Sequence, residues 1–310
     1  MKLRTALAQY LRLKQSLGFR FHAESVILRA FARAMGPIDL GRVTPVRVRR
    51  YLDGQGPLTR FWERKWVTLR GFYRFTLARG LVRRSPVPAV APKLPQRFVP
   101  YIYLREELQR LLAAIPTEPL AGLSASTLRT LLLLLYGAGL RISEALVLTE
   151  EDVQADTRLL WIRQSKFFKS RWVPVGRPLA EVLARHRQQR PVRQPDQRQA
   201  FFQTVGGSPV NRAAVERAFR VLRQAAGVQR TDGTRYQPRL HDLRHSFAVH
   251  RLVAWYRQGA DVSRLLPKLS TFLGHIDLAA TQHYLTLTPE LSEQASRRFE
   301  RYALRGGHDD

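Results

Sequence analysis

The sequence predicts a mainly α-helical chain with one small β-hairpin, an α+β fold divided into two domains. Three observations carry that expectation. Apolar residues recur at helical spacing through most of the chain, β-prone runs form one clear element only, and a stretch with five prolines breaks the pattern between Pro86 and Pro100. At 310 residues the chain is long for one domain and comfortable for two. A hydrophobic content of 45% is ample for packed cores and argues against wholesale disorder.

The elements follow in order. Leu3, Leu7, Tyr10, Leu11 and Leu17 share the spacing of one helix face. A second helix is expected over residues 25–35, with Val26, Ile27, Ala30, Phe31 and Ala34 on its apolar side and Pro37 beyond its end. Thr44 and Pro45 read as an N-cap and first helical residue, opening a short basic helix through Tyr51. Residues 61–79 form a fourth helix whose aromatic side chains, Trp62 to Phe75, are read as the core of this domain and not as a base-stacking platform. These four helices make residues 1–90 a small basic α domain. Residues 91–100 are a proline-rich linker, extended and semi-rigid.

Residues 101–310 form the second domain. Its most apolar segment, 131–140, is too short to span a bilayer and reads as a buried core helix. Residues 159–163 and 171–175 are β-prone and enclose a loop, which predicts the hairpin. The polar run 187–199 is a surface connection, and helical periodicity over 212–226 ends at Gly227, where a C-cap belongs. Residues 289–302, with Leu291, Ala295 and Phe299 spaced by four, suit an amphipathic C-terminal helix, either packed on its own domain or docked on a neighbour.

Charge narrows the function. The formal net charge is +28, and residues 1–97 carry +17 of it, with 21 basic residues against 4 acidic ones. A surface this basic calls for a polyanion, because each neutralised phosphate releases condensed counterions. An arginine-rich composition or a ribosome-associated protein would also account for the charge taken alone. The absence of cysteine excludes disulfides, Cys-ligated zinc, iron–sulfur clusters and thiol nucleophiles. The first ten residues lack the continuous apolar stretch of a signal peptide, so a soluble, cytoplasmic, nucleoid-associated protein without membrane contact is expected.

The chemistry-bearing residues fall in a fixed order: Arg141 and Glu144 after Gly137 and Gly139, then His241 and Arg244, then His275 after Leu273 and Gly274, then Tyr284. Singly, each has an ordinary reading. Arg141 pairs with Glu144 on one helical turn, His241 is a core histidine beside a surface arginine, and Tyr284 is one of 10 structural tyrosines. His241 and His245, four apart, would suit a metal only with an acidic third ligand, and none accompanies them. Together the set suits attack on a phosphodiester. Fixed cations stabilise the charge of the transition state, a neutral imidazole accepts a proton, and a hydroxyl attacks. No Gly-rich phosphate loop and no acidic cluster for two metals is present, so neither nucleotide nor metal is expected.

In order and spacing these motifs closely resemble the tyrosine recombinase, or phage integrase, family. The likeness covers the C-terminal domain by motif and the N-terminal domain by type. It implies a helical SAM-like core-binding domain followed by a catalytic domain, the two forming a clamp around double-stranded DNA. It also implies that Tyr284 attacks the scissile phosphate to leave a 3′-phosphotyrosyl link, that Arg141 and Arg244 hold the non-bridging oxygens, that His241 serves as proton acceptor or hydrogen-bond donor, and that His275 assists at the phosphate. Lys166 in the hairpin would protonate the leaving 5′-oxygen, with Lys169 in the same loop as the competing assignment. The resemblance further implies a tetramer on DNA, linked through the C-terminal helix, with accessory recombinases or DNA-bending proteins as further partners. A type IB topoisomerase-like enzyme and a catalytically silent DNA-binding regulator are the alternatives.

Overall fold

The computed structural model describes residues 1–19, 21–95, 99–163, 170–189, 199–234, 236–275, 278–286 and 293. It divides into two compact units, Met1–Phe98 and Val99–Asp310. The division falls inside the proline-rich stretch.

The first unit packs four helices, α1 (Leu3–Ser16), α2 (His22–Met35), α3 (Pro45–Asp53) and α4 (Arg60–Ala78). Thr44 caps α3 by accepting from the Arg47 amide, with Pro45 at the first helical position. The aromatic face of α4 is core: Trp62, Phe72 and Tyr73 pack with Leu3, Leu7, Tyr10, Leu28 and Phe31. Lys65 on α4 turns inward and donates to the carbonyls of Tyr51 and Leu52, which satisfies the C-terminal end of α3.

Three apolar assignments change. Val26, Ala34 and Leu17 are exposed. The buried stripe of α2 runs through Ile27, Leu28, Phe31, Ala32 and Met35, rotated from the expected face. Leu17 lies past the end of α1, where the helical phase no longer holds it against the core. The proline stretch also differs from a free spacer over its first half. Val87 is buried, Ala91 and Leu94 pack on the first core, and Trp66 donates to the carbonyl of Pro88 at 2.8 Å.

In the second unit, α5 (Arg105–Ala113), α6 (Ala125–Gly137), α7 (Ile142–Leu146), α8 (Arg177–Gln188) and α9 (Arg212–Ala225) surround a leucine- and phenylalanine-rich core. The expected hairpin pairs β2 (Leu159–Ile162) with β3 (Arg171–Pro174), and β1 (Val153–Gln154) joins β2 to make a three-stranded antiparallel sheet. The added strand is two residues long, too short for its periodicity to register in the sequence. A second apolar cluster joins α10 (Asp242–Arg257), α11 (Val262–Leu273) and Tyr284, which follows α12 (Ala279–Gln282) in a 3₁₀ turn. No helix among the described residues is long and apolar enough to cross a membrane. The expected C-terminal helix at 289–302, apart from Glu293, lies outside the described residues, as do Lys166 and Lys169.

Candidate active site

Each site residue stands at the end of a helix, where backbone groups are open and the chain turns. The core helix α6 ends at Gly137, and Gly139 then adopts φ +58°. This turn brings Arg141 to the N-terminal end of α7. The second half of the site comes from α10. Asp242 is fully buried and accepts from the Arg239 amide and guanidinium, each at 2.9 Å. Ser246 donates to the Asp242 carbonyl and accepts from the Tyr103 amide. These bonds pin the first turn of α10 and set His241 and Arg244 beside it. The third part is the end of α11, where Gly274 takes a left-handed conformation and the His275 amide donates back to Ser270. That tight turn aims His275 toward Tyr284.

Arg244 is 2% exposed, and a buried guanidinium costs several kcal/mol unless its donors are satisfied. They are satisfied here. Nη1 donates to the Gly139 carbonyl at 2.7 Å and Nη2 to the Leu273 carbonyl at 2.6 Å. Burial and the nearby Arg141 bring its pKa down to about 10, so it stays charged at neutral pH. Arg141 donates through Nη1 to Glu144 Oε1 at 2.7 Å and through Nη2 to the Gly274 carbonyl at 2.9 Å. The expected Arg141–Glu144 pair is therefore present, in company with a second cation.

Glu144 is buried, and Arg171 at the start of β3 meets both of its carboxylate oxygens at 3.1 Å. Burial by itself would raise the Glu144 pKa. The Arg171 fork and the Arg141 contacts outweigh it and hold the carboxyl below its ordinary range. In the sequence Arg171 stands only as the first residue of a β-prone run. Its signal lay in the alternation of β3, which turns Arg171 to the same face as the buried Val173.

Tyr284 is 2% exposed, with its ring 5.5 Å from that of His245 and stacked 6.0 Å from that of His275. Burial raises its hydroxyl pKa, while Arg244, through charge and a hydrogen bond, and Arg141 oppose the rise. His275 Nδ1 and Thr281 Oγ1 share a hydrogen bond of 2.7 Å. His241 keeps a solvent-exposed side, but loss of solvent around the ring and the charge of Arg244 lower its pKa to about 4. Burial and His241 bring that of His245 to about 3. Both imidazoles are neutral at pH 7. Their rings lie 4.9 Å apart, and no group of three potential metal ligands exists among the described residues.

The structure thus brings Arg141, Glu144, His241, Arg244, His275 and Tyr284 into one site and adds Arg171, His245 and Thr281 around them. A cleft of about 540 Å³ opens beside Arg141 and His241, lined also by Arg212, Arg220, Arg223 and Arg239. Clustered guanidinium groups around such a cleft suit a polyanion.

Residues 103–290 match the model of the phage integrase family. A putative integrase/recombinase of Sinorhizobium fredii is 35% identical over 96% of this chain and 97% of its own. The tyrosine recombinase XerD of Mycobacterium leprae is 35% identical over 73% of this chain and 69% of its own. Among solved structures, a lambda integrase tetramer bound to a Holliday junction is similar in fold, with a TM-score of 0.63 at 18% identity over 89% of this chain and 78% of that one.

Proposed function

The chain belongs to the phage integrase family of tyrosine recombinases, and on that premise we propose that it is a site-specific DNA recombinase with Tyr284 as its nucleophile. The observation that carries this reading is the gathering of Tyr284, two guanidinium groups and neutral imidazoles at one place, from segments up to 143 positions apart in the sequence. In the reaction, the Tyr284 oxygen attacks the scissile phosphorus, the bond to the 5′-oxygen breaks, and a 3′-phosphotyrosyl link forms. Tyr284 is protonated at neutral pH, because burial raises its pKa. His241, neutral and facing the cleft, accepts the proton as the bond forms. Arg141 and Arg244 stabilise the charge on the non-bridging oxygens, and His275 assists beside Tyr284. Lys166 supplies a proton to the departing 5′-oxygen. Attack by that hydroxyl, or by one from another strand, reverses the step and reseals DNA. The link conserves the phosphodiester bond energy, so no step consumes nucleotide.

Double-stranded DNA is the partner. The basic residues of the first unit supply phosphate contacts that position the duplex, and the cleft beside Arg141 receives the backbone next to the scissile bond. A lambda integrase has been captured as a tetramer on a Holliday junction, and the same assembly, linked through the segment at 289–302, is proposed for this chain in the cytoplasm.

The test is a suicide DNA substrate nicked beside the cleavage position, mixed in EDTA with wild type and with Tyr284→Phe. A protein–DNA adduct on a denaturing gel with wild type alone is expected. Absence of an adduct with wild type, with specific DNA binding intact, would point instead to a silent DNA-binding regulator.

A further inference from the structure

Three guanidinium groups converge on the carbonyl of Leu273: Arg244 Nη2 at 2.6 Å, Arg171 Nη2 at 3.4 Å and Arg141 Nη1 at 3.5 Å. Two of the three were assigned above to the scissile phosphate. Arg171 was not, and its remaining donors account for themselves. Nη1 and Nη2 meet the two oxygens of Glu144 as a fork, and Nε donates to the Phe272 carbonyl at 2.9 Å. Its side chain is 11% exposed, so this is a buried ion pair and not a surface one.

Glu144 needs such a partner. Its Oε1 already accepts from Arg141 at 2.7 Å, and its Oε2 stands 3.9 Å from Arg244 Nη1. A carboxylate in that place with no other cation would draw both phosphate-binding guanidiniums to itself, because electrostatic attraction is strong where water is scarce. The backbone is shaped around the same contact. A β-carbon on Gly274 would lie 2.8 Å from Arg171 Nη1, at a residue that also holds φ +66°. The glycine before His275 therefore serves the turn and makes room for the Arg171 side chain.

We propose that Arg171 is a positioning residue for strand cleavage: its two-point fork neutralises Glu144 and so leaves the charges of Arg141 and Arg244 to the scissile phosphate. The proposal rests on the assignment of those two arginines to the phosphate. Arg171 has a second action of the same kind, since its bonds to Phe272 and Leu273 tie β3 to the turn that carries His275. Lysine cannot reproduce the role, having one charged point where the fork has two.

The experiment compares wild type, Arg171→Lys, Arg171→Gln and the double variant Glu144→Gln/Arg171→Gln in single-turnover adduct formation at saturating suicide substrate, with DNA affinity and thermal unfolding measured in parallel. Arg171→Gln is expected to slow adduct formation by about 10²-fold, with DNA affinity held within about threefold because backbone contacts elsewhere dominate it. Arg171→Lys falls between. Removing the surplus carboxylate as well is expected to restore about tenfold of the lost rate, a coupling that a merely structural arginine would not show. The proposal is overturned if the double variant is no faster than Arg171→Gln, if Arg171→Gln matches wild type, or if both variants lose cooperative unfolding, which would make Arg171 a residue of the fold alone. Failure of wild type to form any adduct would instead overturn the assignment of Tyr284.

Discussion

Phe247 packs so closely on Gly139 that a β-carbon there would lie 2.5 Å from its Cδ1 atom. The same glycine holds φ +58° and offers its carbonyl to Arg244, which stands one turn before Phe247 on α10. Conformation, packing and charge placement therefore meet at one residue. Gly139→Ala is expected to destabilise the protein by roughly 2–4 kcal/mol, combining left-handed strain with overpacking, and to reduce adduct formation at temperatures where it remains folded. Denaturant unfolding checks the first part and the denaturing gel the second. Wild-type stability in the variant would refute the close approach.

Arg244→Lys keeps the charge but cannot span the carbonyls of Gly139 and Leu273, which the guanidinium reaches with two different nitrogens. The rate of adduct formation should fall by about 10²–10³, while affinity for DNA changes little. A gel-shift titration beside the single-turnover assay separates the two. A Lys variant as fast as wild type would show that only net charge matters at this position.

Thr281 is fully buried and bonds His275 Nδ1 at 2.7 Å, an interaction that fixes the imidazole beside Tyr284. Thr281→Val preserves shape and removes the hydroxyl. The expected cost is about 1 kcal/mol of stability and about a tenfold slower cleavage through lost orientation of the ring. Equal rates for the two proteins would mean that His275 is held by other contacts.

Stability should depend on pH through His245. Nδ1 of its ring is enclosed without a hydrogen-bond partner among the described residues, and its folded pKa is about 3 against an ordinary 6.5. The folded state binds fewer protons than the unfolded state between those values. The contribution to stability is therefore complete above about pH 6.5 and is lost as pH falls toward 3. One such group costs up to roughly 1.4 kcal/mol per pH unit inside the window. Urea midpoints measured from pH 7.5 to 4.5 should decline more steeply for wild type than for His245→Gln. Parallel curves would exclude a neutral His245 with an enclosed Nδ1. The Glu144 carboxylate acts in the same direction but only below its ordinary range, since its folded pKa is depressed.

Much of this molecule is local information. Thr44 and Pro45 announce α3 because cap and first turn are built from adjacent residues, and Gly227 ends α9 for the same reason. The face of α2 was less legible. Val26 and Ile27 are both apolar and neighbours in sequence, so periodicity alone allows a rotated stripe, and the packing of Leu28 and Phe31 into the first core sets which face of α2 is inside. The two-residue β1 left no pattern to read.

By itself the sequence determined the order and spacing of Arg141, His241, Arg244, His275 and Tyr284, together with the charge that calls for a polyanion. Those are properties of residue type and spacing. Only the tertiary structure decided that Arg171, 27 residues beyond Glu144, shares its carboxylate, that Leu273 gathers three guanidiniums, and that His245 lies against Tyr284. The physical reason is that such contacts depend on which face of a strand or helix turns inward and on which helix ends meet. Neither is set until the apolar cores of the second unit have packed.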